Sequence, residues 1–556
     1  MGQQGPRPYA CPLRSRPVPR VPINLEEETM RSGELDHVKT DILVIGCGVA
    51  GSAAALAAAT DRSLHVTVVT GAKDPQETNT YYAQGGIIGQ GPGDSPELLS
   101  EDLHRAGDHL NYPAAVDILT REGPDLVQRL LVDELHVDFS REPDGALAYI
   151  KEAAHSTNRI LHVTDATGRA IEERLVDALL EQPNITVLAG HTAGDLLTPA
   201  HHSLDNLAVY ETPSCVGAYV LDQETGGVQA YLARKTILAT GGLGQIFLHT
   251  TNPDRSRGDG LAMAWRAGAR VINAQFVQFH PTAFFHRGAP RFLISEAVRG
   301  AGARLVNEDG EAFMPRYAPK WKDLAPRDEV ARAIHQELLR TGTTRVYLDL
   351  KSIMPPDQIK ERFPTIYSTC LQHGVDVSRE LIPVVPAAHY FCGGVWVDAY
   401  GCSNLDHLYA VGEVSCTGVH GANRLGSASL LEGLLWGHRA GHHAVENLSD
   451  WATKTDEIPH WQDTGLNGAD PALVHQDMVT IKHIMWNYVG LVRSTRRLQR
   501  ALEDLLNLRS EISHFYRATR LTDGLLGLRN AVQSAIVVAQ AAWEDKESHG
   551  CHYRED

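Results

Sequence analysis

The chain has 556 residues, 43% of them apolar and 21% charged, with a formal net charge of −17 at pH 7. That length builds several domains with sizeable cores, and the acidic excess argues against broad binding to nucleic acid or adhesion to an anionic membrane. The eight cysteines are scattered without a C-x-x-C pair, so neither a disulfide framework nor a bound metal is expected, and a reducing, cytoplasmic setting fits best.

The first residues, "MGQQGPRPYACPLRSRPVPRVPIN", hold four Arg, six Pro and no acid. They lack the apolar core of a secretory signal, and Pro6 spoils a myristoylation pattern, so residues 1–39 read as a disordered tail. "TDILVIG" (40–46) is then a compact apolar strand ending in glycine. An alanine-rich helix to about Thr60 and a second apolar run, "LHVTVVT" (64–70), follow it. Strand, turn, helix and strand in that order predict a parallel βαβ unit. The uncharged run from Ile42 to Thr60 is long enough to span a membrane, but its β-rich start, early glycines and later alanines argue against that. Further buried strands are expected at "ITVLAG" (185–190), "KTILATGG" (235–242) and "HLYAVGEV" (407–414). The distance between the last two predicts an insertion over about 274–390, with a helix in "LAPRDEVARAIHQELL" (324–339). Residues 446–471 read as a polar linker, and the remainder is helical.

Gly46, Gly48 and Gly51 follow the first strand in the G-x-G-x-x-G spacing. Glycines so placed permit a tight turn and close backbone approach to a pyrophosphate held at a helix N-terminus. An NAD site also needs an acid at the end of the second strand. Val69, Thr70 and Gly71 supply none before Asp74, and no Arg stands there for a 2′-phosphate, so the nicotinamide reading weakens. "TNTYYAQGGI" (78–87) suits the wrapping of a flat polar ligand, its alternative being a glycine-rich surface loop. Glu413 in "AVGEVS" suits sugar or ribityl hydroxyls, its alternative being a capping carboxylate.

With "GCGVAG", "YYAQGGI", "ATGGLGQIF", "TNPDRSRGDGLAMAWRAGA", "FVQFHPTAF", "APRDEVARAI", "VPAAHYFCGGV", "GEVSCTGVHGANRLGSASLLEG" and "ESHGCHYRED" all in order, the chain resembles the L-aspartate oxidases from about Thr40 to Asp556. These belong to the succinate dehydrogenase and fumarate reductase flavoprotein superfamily. The resemblance implies an α/β fold with an interrupted FAD-binding Rossmann-type domain (40–273 and 391–445). An α+β capping domain (274–390) and a C-terminal helical domain (472–556) would complete it. It implies FAD with its pyrophosphate at Gly46, Gly48, Val49, Ala50 and Gly51. Further cofactor contacts would come from Thr80, Tyr81, Tyr82, Ala83, Gln84, Gly85, Gly86, Gly241, Gly242, Asp259, Glu413, Ser429 and Leu430. Membrane-complex relatives attach FAD covalently through a His; Asn79 stands there in this chain, which implies a non-covalent flavin.

The family's substrates are C4 dicarboxylates, which need cations and hydrogen bonds in a dry pocket. The resemblance assigns substrate binding to His280, Thr282, Arg327, His389 and Arg424, with Arg327, His280 and His389 catalytic and Glu296 with Arg299 as a supporting pair. Taken singly, each has a bland alternative as a structural His or a surface Arg. Glu152, in "YIKEAAHSTNR", is the informative residue. A carboxylate beside a dianion pocket is unfavourable for succinate but fits a substrate with an ammonium group, and aspartate oxidases carry Glu at this place. Its alternative is a solvated acid beside Lys151. The implied reaction moves a hydride from aspartate Cα to flavin N5, giving iminoaspartate, with reoxidation by oxygen or fumarate. It would open the quinolinate route to NAD, with handover to quinolinate synthase. A soluble fumarate reductase or succinate dehydrogenase flavoprotein is the first alternative, and a non-catalytic flavin-binding partner or sensor the second. Four positions depart from the family: Ala153–Ala154 for Gly-Gly, Ala428 for Asn, and His549 for Arg.

Overall fold

The computed structural model describes residues 37–556, except 153, 165, 287, 290, 291, 452–456, 464 and 466. Most of the expected N-terminal tail therefore lies outside the described residues. In chain order, the elements that build the site are β1 (Val38–Ile45), α1 (Val49–Ala58), β2 (Val66–Thr70), α2 (Thr167–Glu181), β3 (Ile185–Ala189), β4 (His191–Leu197), β5 (Gly217–Asp222), β6 (Val228–Leu238) and α3 (Asp259–Ala267). There follow β7 (Val277–Phe284), β8 (Arg304–Val306), α4 (Arg327–Thr341), β9 (Val346–Asp349), β10 (Ile382–Phe391), β11 (Leu408–Ala410) and α5 (Ala428–Glu446). Three long helices close the chain: α6 (Pro471–Tyr488), α7 (Thr495–Ala518) and α8 (Asp523–Glu544).

The large sheet has the order β3-β2-β1-β6-β5-β4, with β11 also paired to β6. β1 runs parallel to both β2 and β6, and β2 parallel to β3, as continuous apolar runs predict for strands covered on both faces. β4, β5 and β6 form an antiparallel meander that the apolar runs did not announce. The strand expected over 235–242 starts earlier, at Val228, and stops at Leu238, because Gly241 turns the backbone through φ +71°. The one expected over 407–414 is extended only at Leu408–Ala410; Gly412, at φ +68°, then folds Glu413 into a short helical turn. Among the described residues no helix is long and apolar enough to cross a membrane.

A second sheet, of order β7-β10-β9-β8, is antiparallel throughout. Its core is separate, built from residues such as Phe284, Leu305, Ile334 and Leu348. Helices α6, α7 and α8 share a third core with Leu243, Phe247 and Phe279, which bind them to the neighbourhood of the site.

Helix α1 is almost wholly buried, and its alanines present a flat surface to α5. Gly433, Gly437 and Gly441 recur at one-turn intervals along α5, facing Val49, Ala50 and Ala54 in ascending order, so the two helices lie parallel and nearly touching. A Cβ on Gly437 would collide with the Ala50 carbonyl. Gly437→Ala is therefore expected to cost about 1–3 kcal/mol through overpacking, read as a lowered melting temperature.

Candidate active site

A cavity of about 1640 Å³ runs from the ends of β1 and β2 to the four-stranded sheet. It exceeds the roughly 300–1,000 Å³ of an ordinary small-molecule pocket and has room for a dinucleotide beside a small substrate. All the expected cofactor residues line it except Gly51, Tyr81 and Gly242, which stand behind the wall. A Cβ on Gly51 would collide with the Gly46 carbonyl, and one on Gly242 with the Glu413 carboxylate. Tyr81 packs edge-on against Tyr82, with the Arg169 guanidinium over its ring.

The glycine turn leaves the α1 N-terminus without a side-chain cap at Gly48. Its first N–H, on Val49, donates to Thr80 Oγ1 at 3.0 Å, so the glycine turn and the Thr80 loop form one cradle. Uncapped N–H groups at a helix start suit a pyrophosphate. Gln84 Oε1 and Thr240 Oγ1 are buried on the cavity wall and have no hydrogen-bond partner among the described residues, as expected of groups waiting for a polar ligand. Further along, Asn79 Nδ2 donates to Glu413 Oε2 at 3.1 Å, the Phe391 N–H donates to Glu413 Oε1 at 2.9 Å, and Ser256 Oγ donates to Asn79 Oδ1 at 3.0 Å. Burial pushes the Glu413 carboxyl up to about 7 against the pull of these donors and of Arg424. Near neutral pH it both donates to and accepts from hydroxyl groups.

The far end of the cavity is cationic. Arg327, the first residue of α4, donates from Nε to Glu296 Oε2 at 2.8 Å, and Arg299 reaches Glu296 Oε1 at 3.3 Å. Burial alone would raise the Glu296 carboxyl, but Arg327 and Arg299 outweigh it and hold it at about 2. Arg424 lies 4.6 Å over the Tyr390 ring and donates to Ser429 Oγ at 3.0 Å and Gln278 Oε1 at 3.1 Å. Its Nε is buried without a partner among the described residues. His280 and His389 meet edge to face at 5.4 Å. Burial, reinforced by the neighbouring guanidinium groups, holds both well below the usual imidazole range, so they are neutral at pH 7. The Thr282 N–H donates to His280 Nδ1 at 3.2 Å, which leaves the proton on Nε2. Thr282 Oγ1 donates to the Ile294 carbonyl at 2.9 Å and does not line the cavity.

Glu152 lines the same end. Ser427 Oγ donates to its Oε2 at 2.8 Å and the Gly86 N–H to its Oε1 at 3.4 Å. A Cβ on Gly426 would stand 2.9 Å from Glu152 Oε2 and 3.4 Å from Arg327 Nη2, so this carboxylate and that guanidinium face each other across a glycine. Sequence reasoning missed His155, which reaches the Gly426 carbonyl at 3.1 Å, and His162, on the cavity wall. Their proximity to Glu152 in the chain was the available signal, masked by 27 histidines overall. It also missed Gln278, whose carbonyl holds Arg424 and Arg327 apart. Of the departures, Ala153 lies outside the described residues. Ala154 adopts φ +68°, where the family's glycine is unstrained. Ala428 opens α5 fully buried, and His549 Nδ1 sits 3.1 Å from Asp108.

A family model described as an FAD binding domain matches residues 41–430, and one described as the fumarate reductase flavoprotein C-terminus matches residues 478–556. The L-aspartate oxidase of Yersinia pestis is 42% identical over 526 residues, covering 94% of this chain and 96% of that one. That of Halobacterium salinarum is 43% identical over 521 residues, covering 94% and 97%. Among solved structures, E. coli quinol fumarate reductase FrdA superimposes with a TM-score of 0.83 at 28% identity, over 93% of this chain and 91% of that chain. With its cradle at α1 and its cationic end, the protein is an FAD-dependent oxidoreductase of the α/β flavoprotein class. Within that class it belongs to the L-aspartate oxidase family.

Glu413 gives the site a pH signature. Burial pushes its carboxyl up to about 7 from the ordinary 4.5 of a free side chain, so the folded state holds the extra proton and stability falls as pH rises between those values. Between pH 5 and pH 8 the loss is about 2–3 kcal/mol. Glu413→Gln removes this contribution, so the melting temperature of the flavin-free wild type is expected to fall relative to the variant over that range.

Proposed function

We propose that this protein oxidises L-aspartate to iminoaspartate. The observation that carries the reading is Glu152, a carboxylate placed opposite Arg327 in a cavity end whose other carboxylate, Glu296, is held in ion pairs with Arg327 and Arg299. Two substrate carboxylates account for Arg327 and Arg424. They leave Glu152 opposed to a dianion unless the substrate also carries positive charge, as an α-ammonium does.

FAD, when bound, supplies the hydride acceptor. Arg327 and Arg424 grip the carboxylates, each with donors left after its protein bonds, and their fixed spacing turns the reacting Cα–H toward the cofactor. His280 and His389, being neutral, orient carboxylate oxygens by hydrogen bonding without adding repulsion to the guanidinium groups. As the C=N bond forms, the substrate nitrogen sheds protons. Glu152 is the carboxylate beside it, and His162, held neutral by burial, shares that wall. Phe292, Leu293, Trp321 and Leu324 line the side supplied by residues 274–390, which we read as a capping domain that excludes water. Asn79 is committed to Glu413 and Ser256, consistent with a dissociable flavin. Reoxidation by oxygen or fumarate, a cytoplasmic setting, the first step of NAD synthesis and handover to quinolinate synthase complete the reading.

Anaerobic L-aspartate is expected to bleach the flavin band at about 450 nm, whereas D-aspartate leaves it unchanged. Bleaching by succinate but not by L-aspartate reassigns the protein to the fumarate reductase type. Glu152→Gln is expected to raise the KM for L-aspartate by about tenfold or more, the loss of a charge-assisted contact, with fumarate reduction changed little; equal losses overturn ammonium recognition.

A further inference from the structure

Gly71, immediately after β2, is where a dinucleotide fold usually places an acid for the adenosine ribose, and neighbouring positions in the sequence offer no substitute. The fold brings one from a distance. Arg255 lines the cavity there, and a Cβ on Gly71 would collide with its Nη1. The guanidinium is braced: Nη1 donates to Asp523 Oδ1 at 3.0 Å and Nη2 to Gln223 Oε1 at 3.2 Å. Gln223 Nε2 in turn donates to the Gly71 carbonyl at 2.8 Å and to Thr192 Oγ1 at 2.9 Å, and Thr192 Oγ1 donates to Asp523 Oδ1 at 2.8 Å. These groups form a closed polar ring around the tip of β2, and Gly71, Thr192 and Arg255 all face the cavity.

We infer that Arg255 binds the adenosine ribose of FAD, donating to a hydroxyl oxygen in place of the usual carboxylate. A guanidinium has five N–H donors, and the two bonds to Asp523 and Gln223 leave three. An Arg at this place in a nicotinamide enzyme accommodates a 2′-phosphate, but here Asp523 and Asp259 together balance Arg255 and Arg257, and Asp523 would repel a phosphate dianion. A neutral diol suits a braced, charge-compensated donor. The glycine at 71 follows: any side chain there displaces Arg255.

Asp523 opens α8 and also reaches Arg257 Nη1 at 3.0 Å, while Arg257 Nη2 donates to Asp259 Oδ2 at 2.8 Å. Asn530, two turns further along α8 from the brace, donates to Asp259 Oδ1 at 2.9 Å. Asp523 is therefore a positioning residue through which the last long helix holds the ribose contact.

The test reads binding rather than turnover: flavin released on serial dilution of the holoprotein, followed by fluorescence, for FAD and for analogues lacking the adenosine 2′- or 3′-hydroxyl. Wild type is expected to lose about tenfold in affinity for one of the analogues, the scale of a hydrogen bond to a charged donor. Arg255→Ala is expected to lose a similar factor for FAD and to bind that analogue no more weakly than FAD, and Asp523→Asn to show a smaller loss. Wild type binding both analogues as tightly as FAD overturns the inference, and that arm needs no variant to fold. Arg255→Ala discriminating the analogue by the wild-type factor also overturns it, since Arg255 would then be a structural brace.

Discussion

Three guanidinium groups at the cationic end outnumber the carboxylate, Glu296, that forms ion pairs there, and the site is organised around that imbalance. Arg299, Arg327 and Arg424 are closely placed, while Glu296 pairs with only the first two. Unpaired charge in a low-dielectric interior is expensive. It persists here because several elements hold it in place. Gln278 on β7 spaces Arg327 from Arg424, the Asp323 carbonyl accepts from Arg299 at 2.7 Å, and the Tyr390 ring on β10 lies under Arg424. Burial, with the same field behind it, keeps His280 and His389 neutral. A substrate with two carboxylates relieves the strain, so binding energy is built into the unliganded protein as electrostatic preorganisation.

Much of this was legible in the sequence where local chemistry dictates structure. The run 40–46, the glycine spacing and the alanine-rich helix belong to one continuous stretch, and they fold as β1, turn and α1 because each residue's neighbours suffice to specify it. The family motifs likewise place Arg327 at the first position of α4, after Pro326.

What stayed hidden depends on distant partners. The meander β4–β5–β6 buries polar residues such as Thr192, Lys235 and Thr236 among its apolar ones, so its strands do not read as clean apolar runs. Thr282 sits in a motif that marks it as a ligand, yet its hydroxyl serves Ile294 and its backbone serves His280. Arg255 is the plainest case. It is 184 positions from Gly71, and only the fold makes one occupy the space the other vacates.

The parallel contact of α1 and α5 has a consequence for the protein without its cofactor. Both helices aim their N-termini into the cavity, Val49 from one and Ser429 and Leu430 from the other. The glycines of α5 hold these ends too close for side chains to intervene. Two aligned macrodipoles side by side repel, and their partial positive ends repel most where no water or counter-charge separates them. FAD bound with its pyrophosphate at the Val49 end, as the glycine turn implies, would supply the counter-charge that this repulsion lacks. The cofactor would then be part of what keeps this helix pair together, a counterion for the domain as well as the agent of its chemistry.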